Sequence, residues 1–495
     1  MTRSLFSRLY TWAAETLDQK IGWHRLPLLI SLGILAGLRI ILRERNLHDT
    51  TILTPIESDQ LGASTGSGGT PTPERYLTAR TADGTYNDLA YPKMGSANSR
   101  FGRNVPLSHA YPDNDAAILI PSPRIVSREL LARDTFKPAT SINMLVAAWV
   151  QFQIHDWFSH GKNQKKNPWE IPLTEDDPWP YRPMEILRTQ SDSTRTGTEN
   201  LPPTYLNTVT HWWDGSQIYG SDAVTQAKIR SGENGKLIIG SDGLLPIDEN
   251  GIDITAVNGN WWIGLSMMHT LFTLEHNAIC NRLHGAYPSW SDDELFDRAR
   301  LVNAALIAKI HTINWTPAIL GNPTLQVAMN GNWWGLATEQ IYKMFGRISS
   351  NEIISGIPGS PKQFFDVPYT LTEEFVSVYR MHPLLPDEFT FRSVENNQVL
   401  LERPLAGVAD ANAHDVLKQV SLLNALYTFG TSNPGAIALH NYPNFLRERR
   451  ELDNILFDLA TTEILRDRER GVPRYAEFRK LVNRTPVTLF EQITD

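Results

Sequence analysis

The sequence contains a single cysteine, Cys280, among its 495 residues. It can therefore form no intrachain disulfide and no cage of thiolate ligands around a metal ion. Basic residues are not in excess either, since 46 Lys and Arg stand against 54 Asp and Glu, for a net charge of −8. Because nucleic-acid binding depends on Lys and Arg neutralising phosphates, this balance argues against a nucleic-acid partner. The chain does have 41% hydrophobic and 20% charged residues, which is typical of a folded protein with a large core.

The N-terminal 50 residues show neither a secretory signal nor an apolar run long enough to cross a bilayer. Residues 1–25 mix aromatic and aliphatic side chains with arginine, aspartate and lysine, which is typical of an amphipathic helix. Residues 26–42 are apolar apart from Ser31 and Arg39, and they fall short of the roughly 20 residues of a membrane span. The pattern favours a monotopic contact in one leaflet, with a buried helix or a true span as alternatives. We expect residues 1–50 to contact a membrane, and the protein to be intracellular and peripherally membrane-associated.

The rest of the chain divides into a linker and one large domain. Residues 51–79 include the tract GASTGSGGTPTP, which is too polar and flexible to pack and predicts a linker. From Ser141 onward, apolar residues recur at helical spacing in several segments, whereas strand-like alternation is sparse. These segments are INMLVAAWVQFQIHDWF, LVNAALIAKIHTINW, TEQIYKMF and DNILFDLATTEILRDR. The sequence therefore predicts a mainly α protein with a single large domain over residues 80–495.

The segment WVQFQIHDWFSH carries the first candidate for chemistry. Gln151 and His155 lie four residues apart, so they share one face of a helix. Asp156 points to a different side of that helix and meets other neighbours. On spacing alone, a histidine of this kind is more often a hydrogen-bonded core residue than a catalytic one.

A second segment, THWWDGSQIYG, places side-chain oxygens at even-numbered positions of a turn-like stretch, on Thr210, Asp214 and Ser216. Alternating oxygen ligands with a carboxylate suit calcium, which takes roughly six to eight oxygens. Asp156 is the candidate for a second carboxylate, offered from another helix. An ordinary Asp-Gly-Ser turn accounts for the spacing equally well.

The third segment is EEFVSVYRMHPLLPDEF. Tyr379 and His382 are three residues apart, so we expect them to share a face of a helix that ends at Pro386. A histidine can ligate haem iron through one ring nitrogen, and a tyrosine one turn away can exchange an electron with an oxidised porphyrin. A tyrosine and a histidine that simply pack at a helix end are the structural alternative.

Taken together and in order, these segments resemble the haem peroxidase–cyclooxygenase superfamily, and most closely its fatty-acid α-dioxygenases. EEFVSVYRMHPLLPDEF resembles the proximal-histidine helix of that group, WVQFQIHDW its distal helix, and THWWDGSQIYG its calcium loop. RERGVPRY resembles the family element RDxGxPxY, with Glu469 in place of its aspartate. Further similar segments are RTADGTYNDL, LFTLEHNAICNRL, AKIHTINWT and NPGAIALHNYP. The matches cover nearly all of residues 80–490, so the resemblance implies a cyclooxygenase-like helical peroxidase domain.

The resemblance also implies roles for individual residues. His382 would be the proximal iron ligand, His155 the distal histidine with Gln151 beside it, and Tyr379 the residue that becomes a radical. The implied calcium ligands are Asp156, Thr210, Asp214, Ser216 and the backbone carbonyl of Trp212. The implied cofactors are therefore haem b and calcium.

Two more implied roles concern the substrate and the proximal histidine. His311 and Thr316 correspond to residues that bind the substrate carboxylate, and an anion in an apolar tunnel does need hydrogen-bonding partners. Glu463 occupies the position at which ordinary animal peroxidases have an asparagine that orients the proximal histidine, and it is a candidate for that role. Family members continue past the point that matches Asp495, and their continuation carries an arginine for the carboxylate. The C-terminal part of the family domain is accordingly expected to be missing.

The implied activity is oxygenation of a fatty acid at C2 by a tyrosyl radical and O2, giving a 2-hydroperoxy fatty acid, after activation by a hydroperoxide. If His311 and Thr316 hold the carboxylate near Tyr379, C2 is the carbon closest to the radical. A carboxylate held far away would expose mid-chain carbons instead. The alternatives are a peroxidase that reduces hydroperoxides without oxygenating lipid, a mid-chain fatty-acid dioxygenase and an inactive haem-binding homologue.

Overall fold

The computed structural model of the chain describes residues 5–48, 74–194, 200–257, 260–361, 364, 367–450 and 456–492. Over these residues the chain is mostly helical, with short two-stranded antiparallel sheets. The prediction of a mainly α fold is confirmed. The Gly/Ser/Pro-rich tract of the predicted linker, residues 62–73, lies outside the described residues.

Helices and short strands follow one another along the described chain. The α-helices are α1 Leu5–Lys20, α2 Leu28–Asn46, α3 Pro123–Val126, α4 Leu145–Trp157, α5 Ser216–Tyr219, α6 Ala223–Ile229, α7 Ile263–Ala286, α8 Asp292–Ile310, α9 Thr316–Ile319, α10 Pro323–Trp334, α11 Thr338–Phe345, α12 Glu352–Ser355, α13 Glu373–Val378, α14 Ala411–Val420, α15 Leu422–Thr431, α16 Asn444–Arg447, α17 Leu459–Glu469 and α18 Tyr475–Leu481. The antiparallel pairs are β1 Ser99–Arg100 with β4 Leu206–Asn207, β2 Gln164–Ile171 with β3 Met184–Arg188, β5 Glu388–Arg392 with β6 Val399–Pro404, and β7 Arg449–Arg450 with β8 Leu456–Phe457.

The main core forms where α4 packs on α7 and α7 packs on α8 and α14. Phe152 of α4, Trp262 just before α7 and Phe272 within α7 are among its buried side chains. Burial of each such aromatic side chain stabilises the fold by about 1.5–3 kcal/mol. This contact fixes α4, and with it the predicted distal segment, deep inside the molecule.

Helix α8 begins with a capping box and ends in a widened turn. The Ser291 hydroxyl accepts from the Glu294 N–H while the Glu294 carboxylate accepts from the Ser291 N–H, as the acid-rich start of this segment predicts. After Ile310 the backbone forms one π-helical turn, His311–Trp315, before α9. Pro317 has no N–H to continue the regular ladder, which accounts for a break at this point. Such turns are frequent at functional sites, and this one carries His311.

Helix α13 is shorter than predicted, which corrects the expectation for Tyr379 and His382. It ends at Val378 and not at Pro386, so the two residues do not share a helix face. Pro383 lacks the N–H that would bond to the Tyr379 carbonyl, and its ring disfavours helical backbone at His382. Tyr379 is therefore the first residue after α13, and His382 opens a separate 3-10 turn, His382–Leu384.

Helix α17 also begins later than predicted. Leu456–Phe457 of the segment DNILFDLATTEILRDR form β8 against β7, and the helix starts only at Leu459. The Asp458 carboxylate accepts from the Thr461 N–H and so caps the helix at this point. Residues 451–455 lie outside the described part of the chain.

Helices α1 and α2 pack on each other and expose apolar side chains. Arg39 and Arg43 of α2 pair with Glu352 of α12 at 3.1 and 3.2 Å, which ties the helix pair to the body of the domain. The most exposed large apolar side chains of the pair are Leu5, Phe6, Leu9, Trp12 and Leu29. Within the described ranges, no helix has the length and apolarity that a membrane span requires.

Candidate active site

Helix α4 holds Gln151 and His155 against the N-terminal end of α7. The Trp262 indole N–H donates to Gln151 Oε1 at 2.6 Å, which fixes the amide beside His155. Burial lowers the pKa of His155 to about 4, so the ring is neutral near pH 7 and can accept a proton. The His155 and His269 ring centroids are 6.2 Å apart. The predicted distal pair is therefore ordered by the α4–α7 packing.

His382 faces a carboxylate from α17. Its Nδ1 lies 3.1 Å from Glu463 Oε1, and the Tyr442 hydroxyl donates to Glu463 Oε2 at 3.2 Å. Burial opposes the charged form of Glu463, but His382 and Arg380 outweigh it and lower the pKa of this carboxyl. Since Nδ1 is turned toward Glu463, Nε2 is the nitrogen on the opposite edge of the His382 ring. Histidine ligands of metals usually turn their second nitrogen toward a carboxylate, and His382 has such a carboxylate 3.1 Å away, although the two atoms are not aligned as a hydrogen bond.

Tyr379 lies in an aromatic enclosure that it shares with His311. Its ring centroid is 5.2 Å from the Trp157 ring and 6.2 Å from the Trp315 ring. The His311 ring is 4.9 Å from Trp157 and stacks on Trp315 at 4.8 Å. Burial raises the pKa of Tyr379, so its phenol is protonated near neutral pH. The fold therefore brings the predicted radical residue and the predicted carboxylate-binding histidine against the same two indoles.

The hydrogen bonds of His311 determine which of its nitrogens is a donor. The Trp149 indole N–H donates to His311 Nδ1 at 3.2 Å, and an indole N–H can only donate. Burial lowers the pKa of His311 to about 4, so the ring is neutral. In a neutral ring whose Nδ1 accepts, the proton is on Nε2, which leaves Nε2–H available to an anion. The Thr316 hydroxyl donates to the His311 carbonyl at 2.9 Å, so it must rotate to donate elsewhere.

The predicted calcium ligands form two hydrogen-bonded pairs. The Ser216 N–H and hydroxyl both donate to Asp156 Oδ1. The Thr210 hydroxyl donates to Asp214 Oδ1 at 2.9 Å and approaches the Trp212 carbonyl at 3.4 Å. Asp156 Oδ2 is buried and has no hydrogen-bond partner among the described residues. Burying a carboxylate oxygen without a hydrogen bond costs free energy, so a further binding partner, such as a cation, is favoured beside Asp156 Oδ2.

The two carboxyls of this cluster interact electrostatically. Burial and the charge of Asp214 raise the pKa of Asp156 well above its usual value. Burial also raises the pKa of Asp214, although Arg300 lies 3.5 Å away and opposes the shift. Arg80 also opposes the shift at Asp214, but no arginine is among the causes that lower the pKa of Asp156. A divalent cation beside both carboxyls would relieve their repulsion. Among the described residues, no three or more His, Cys, Asp or Glu side chains are grouped so that they could hold a metal ion, so hydroxyl and carbonyl oxygens would have to complete the coordination.

A large cavity of about 1060 Å³ adjoins the aromatic enclosure. Trp213 lines it, and the Trp213 ring lies 5.2 Å from the His311 ring. One wall is a stripe of small and apolar side chains on α8, and Arg43 of α2 lies at another side. These wall residues are Leu301, Ala304, Ala305 and Ala308. The volume is just above the usual range of small-molecule sites, which is roughly 300–1,000 Å³.

Sequence reasoning missed the tryptophans that build this site. Trp149, Trp157, Trp213 and Trp315 contact His311 or Tyr379, yet none was singled out. Each lies inside or next to a segment that carries a predicted residue, such as IHDW, HWWDG and HTINW. The clustering of tryptophans in those segments could have indicated that their side chains surround the site. The structure brings together Gln151 with His155, Tyr379 with His311 and Thr316, and the calcium candidates in two pairs, whereas His382 stands apart with Glu463.

Comparisons with known proteins agree with this geometry. The Animal haem peroxidase family matches residues 79–495. Alpha-dioxygenase PIOX of Nicotiana tabacum is 36% identical, and the match covers 99% of this chain and 76% of the relative. Alpha-dioxygenase 2 of Arabidopsis thaliana is also 36% identical, and that match covers 99% of this chain and 77% of the relative. A crystal structure of Oryza sativa fatty acid alpha-dioxygenase with palmitic acid superposes with a TM-score of 0.86 at 34% identity, covering 99% of the chain and 80% of its own. Peroxidase A from Dictyostelium discoideum, at 20% identity and a TM-score of 0.62, covers 84% of the chain and 81% of its own, and shares the fold alone.

Proposed function

The chain belongs to the animal haem peroxidase family and, within it, to the fatty acid α-dioxygenases, and on this premise we propose how its residues act. The reaction is oxygenation of a fatty acid at C2 with O2, which gives a 2-hydroperoxy fatty acid. The observation that carries the residue assignment is the position of Tyr379 and His311 against the same two indoles. A carboxylate bound to His311 would place its own C2, rather than a remote carbon, closest to Tyr379.

We propose that Tyr379 is the residue that carries the radical. Because its phenol is protonated, loss of one electron is accompanied by loss of the proton and leaves a neutral radical. This radical takes a hydrogen atom from C2, so the phenol is restored and a carbon radical forms. O2 adds to that carbon, and the resulting peroxyl radical takes a hydrogen atom back from Tyr379. The sum is one fatty acid plus one O2 giving one hydroperoxide, with the tyrosyl radical regenerated.

We propose that His382 would hold haem b and that His155 and Gln151 would serve the peroxide that activates it. Haem, when bound, would supply the oxidising equivalent that Tyr379 needs. Nε2 of His382 would ligate iron, since Nδ1 faces Glu463. Neutral His155 would move the peroxide proton from one oxygen to the other. Glu463 would hold the His382 ring in place, with Tyr442 and Arg380 fixing the carboxylate.

The substrate carboxylate would bind to the Nε2–H of His311 and to Thr316 after rotation of its hydroxyl. The alkyl chain would then extend past Trp213 into the large cavity along the α8 stripe. Trp213 joins both regions, because it contacts His311 and also lines the cavity. The α8 stripe would give the alkyl chain apolar contacts, while charged side chains that include Arg80, Asp214 and Glu352 line other parts of the same cavity.

Replacement of His311 tests the carboxylate site. We expect His311→Leu to lower kcat/KM for palmitic acid about 10- to 100-fold, because a hydrogen bond to a charged group is worth roughly 1.5–3 kcal/mol. His311→Gln retains an N–H donor and should recover part of the loss. The consumption of hydrogen peroxide with an aromatic reductant is the control and should be unchanged in both variants. Equal losses in both assays would mean that His311 supports the haem region rather than the fatty acid.

We propose that Asp156, Thr210, Asp214, Ser216 and the Trp212 carbonyl bind calcium. The unpartnered Asp156 Oδ2 and the mutual repulsion of the two carboxyls support this assignment. The ligands come from α4, from the loop before α5 and from α5 itself. Calcium would therefore fasten the distal helix to the loop that also carries Trp213, and its role would be structural.

Calcium should accordingly stabilise the fold. We expect calcium at 100 times its Kd to raise the free energy of unfolding by about 2.7 kcal/mol relative to chelator, measured by thermal or urea unfolding. Asp156→Asn should abolish most of this response. In chelator the variant should be at least as stable as the parent, because it removes the repulsion from Asp214. A parent protein whose unfolding is unaffected by calcium would contradict the site.

We propose that α1 and α2 contact a membrane surface through their exposed apolar side chains. Leu9→Glu combined with Trp12→Glu should lower partitioning onto phospholipid vesicles by about tenfold or more, since each buried apolar side chain contributes about 1.5–3 kcal/mol. Co-sedimentation with vesicles measures the partitioning, and Val224→Glu, another exposed apolar residue, is the control. A parent protein that does not sediment with vesicles, or a double variant that sediments as well as the parent, would disprove the contact.

A further inference from the structure

The indole N–H of Trp157 is buried in the aromatic enclosure and has no hydrogen-bond partner among the described residues. Trp157 is the last residue of α4, and its side chain is fully buried. An indole N–H can only donate, so this one requires an acceptor. Since buried donors in native proteins are nearly always hydrogen-bonded, the position beside this N–H is suited to an added acceptor.

The rings around Trp157 offer it no acceptor. Its ring stacks on Trp213 at 5.0 Å and meets the rings of His311 and Tyr379 nearly at right angles, at 4.9 and 5.2 Å. His311 Nδ1 already accepts from Trp149, and Nε2 of the neutral ring carries the proton. Neither this ring nor the Tyr379 hydroxyl forms a hydrogen bond with the Trp157 N–H. Two N–H donors, on Trp157 and His311, are thus left open on adjacent rings.

Two other indoles of the enclosure differ from Trp157 in this respect. The Trp149 N–H donates to His311 Nδ1, and the Trp315 N–H donates to the Val146 carbonyl at 3.2 Å. Both donors are satisfied by protein atoms, so neither needs a ligand. Trp157 has no such acceptor in the described part of the chain, although it is the more deeply enclosed by aromatic rings.

We propose that the Trp157 N–H donates a hydrogen bond to the carboxylate of the fatty acid, together with the Nε2–H of His311. An ionised carboxylate has two oxygens with about four acceptor sites, so it can accept from both rings at once. Two donors also compensate the buried anion better than one does. C2, the carbon next to the carboxylate, would then stay beside Tyr379, whose ring contacts Trp157. The inference rests on the proposed fatty-acid site at His311.

The test compares the binding of palmitic acid with that of hexadecyl alcohol, which has the same number of carbon atoms but no charge. Replacing the Trp157 indole alone by benzothiophene, which has sulfur in place of the N–H, removes the donor and keeps the shape. Trp157→Phe is a simpler second variant. Isothermal titration calorimetry of the haem-loaded protein, without O2 or peroxide, measures the two Kd values.

We expect the Kd for palmitic acid to rise about tenfold in both variants, because a hydrogen bond to a charged group is lost. The Kd for hexadecyl alcohol should rise about threefold or less, since a neutral hydroxyl forms a weaker hydrogen bond. Trp290→Phe is the matched control. Trp290 stacks on Tyr287 outside the enclosure, so its replacement should leave both Kd values unchanged.

Urea unfolding of the protein without fatty acid supplies a second readout. The benzothiophene variant should unfold at the parental urea concentration or at a higher one, because it removes a buried donor that lacks a partner. Palmitic acid should then raise the unfolding midpoint less in the variant than in the parent. A lower midpoint without fatty acid would mean that the N–H bonds to the protein itself, and it would overturn the proposal.

The outcomes separate the role of Trp157 from the proposed function. A parent protein that does not bind palmitic acid would refute the fatty-acid site itself. A parent that binds palmitic acid, with the same Kd in both Trp157 variants, would refute the role of Trp157 alone. Equal losses for palmitic acid and hexadecyl alcohol would also refute it, because a change in the shape of the site would then explain them.

Discussion

Tyr379→Phe should lower formation of 2-hydroperoxy palmitic acid by about 1000-fold or more while the protein still binds haem. Phenylalanine keeps the ring between Trp157 and Trp315, so packing is preserved. It has no O–H bond, however, and cannot form the neutral oxygen-centred radical that takes hydrogen from C2. The measurement is product formation by mass spectrometry, together with the Soret band and the rate of hydrogen peroxide consumption.

The matched control for this variant is Tyr342→Phe. Tyr342 lies on α11, is exposed and is not among the residues that line the large cavity, so its replacement should leave product formation unchanged. Retention of 2-hydroperoxy product in Tyr379→Phe would mean that another residue carries the radical. Loss of peroxide consumption as well would mean that the substitution had damaged the haem region, and the radical assignment would then lack support.

His382→Ala should abolish the Soret band of protein reconstituted with haem. The alanine removes the nitrogen that is positioned to ligate iron, and Glu463 would be left as a buried carboxylate without its histidine. Removing the partner of a buried polar group typically costs about 1–3 kcal/mol, so unfolding should be measured alongside haem titration. His284→Ala, at an exposed position on α7, should bind haem as the parent does.

Glu463→Gln is a milder test of the same site, because it changes the partner of His382 and leaves the histidine in place. An amide can still accept a hydrogen bond from His382 but brings no charge, so haem should bind with its reduction potential raised. A partner that orients a metal ligand contributes about 10- to 100-fold in metal affinity or activity, and a loss of that order is expected. If His382→Ala retained a normal Soret band, iron would be held elsewhere, and Glu463 would have no role in ligation.

Local sequence patterns predicted the helices whose position and start depend on residues close together in the chain. The helical period identified α4 and α8, and the acids after Ser291 identified the start of α8. The end of α13 was mispredicted although Pro383 was visible, because the steric effect of a proline reaches back to the residue before it and to the carbonyl four residues earlier. The hairpin of β2 and β3 was not anticipated, since its side chains alternate only weakly between buried and exposed.

Contacts between distant segments could not be read from spacing. Glu463 meets His382 from 81 residues away, and Ser216 meets Asp156 from 60 residues away. The resemblance supplied these residues as candidates, but only packing of α17 and α5 against their neighbours places the atoms.

The position of oxygen on the product tests the central claim most directly. Haem-loaded protein would be given palmitic acid, ¹⁸O2 and a trace of hydrogen peroxide, and the lipid products would be analysed by mass spectrometry. The account predicts 2-hydroperoxy palmitic acid with both oxygen atoms of the hydroperoxide labelled. A hydroperoxide at a mid-chain carbon, or peroxide consumption with no oxygenated lipid, would contradict it.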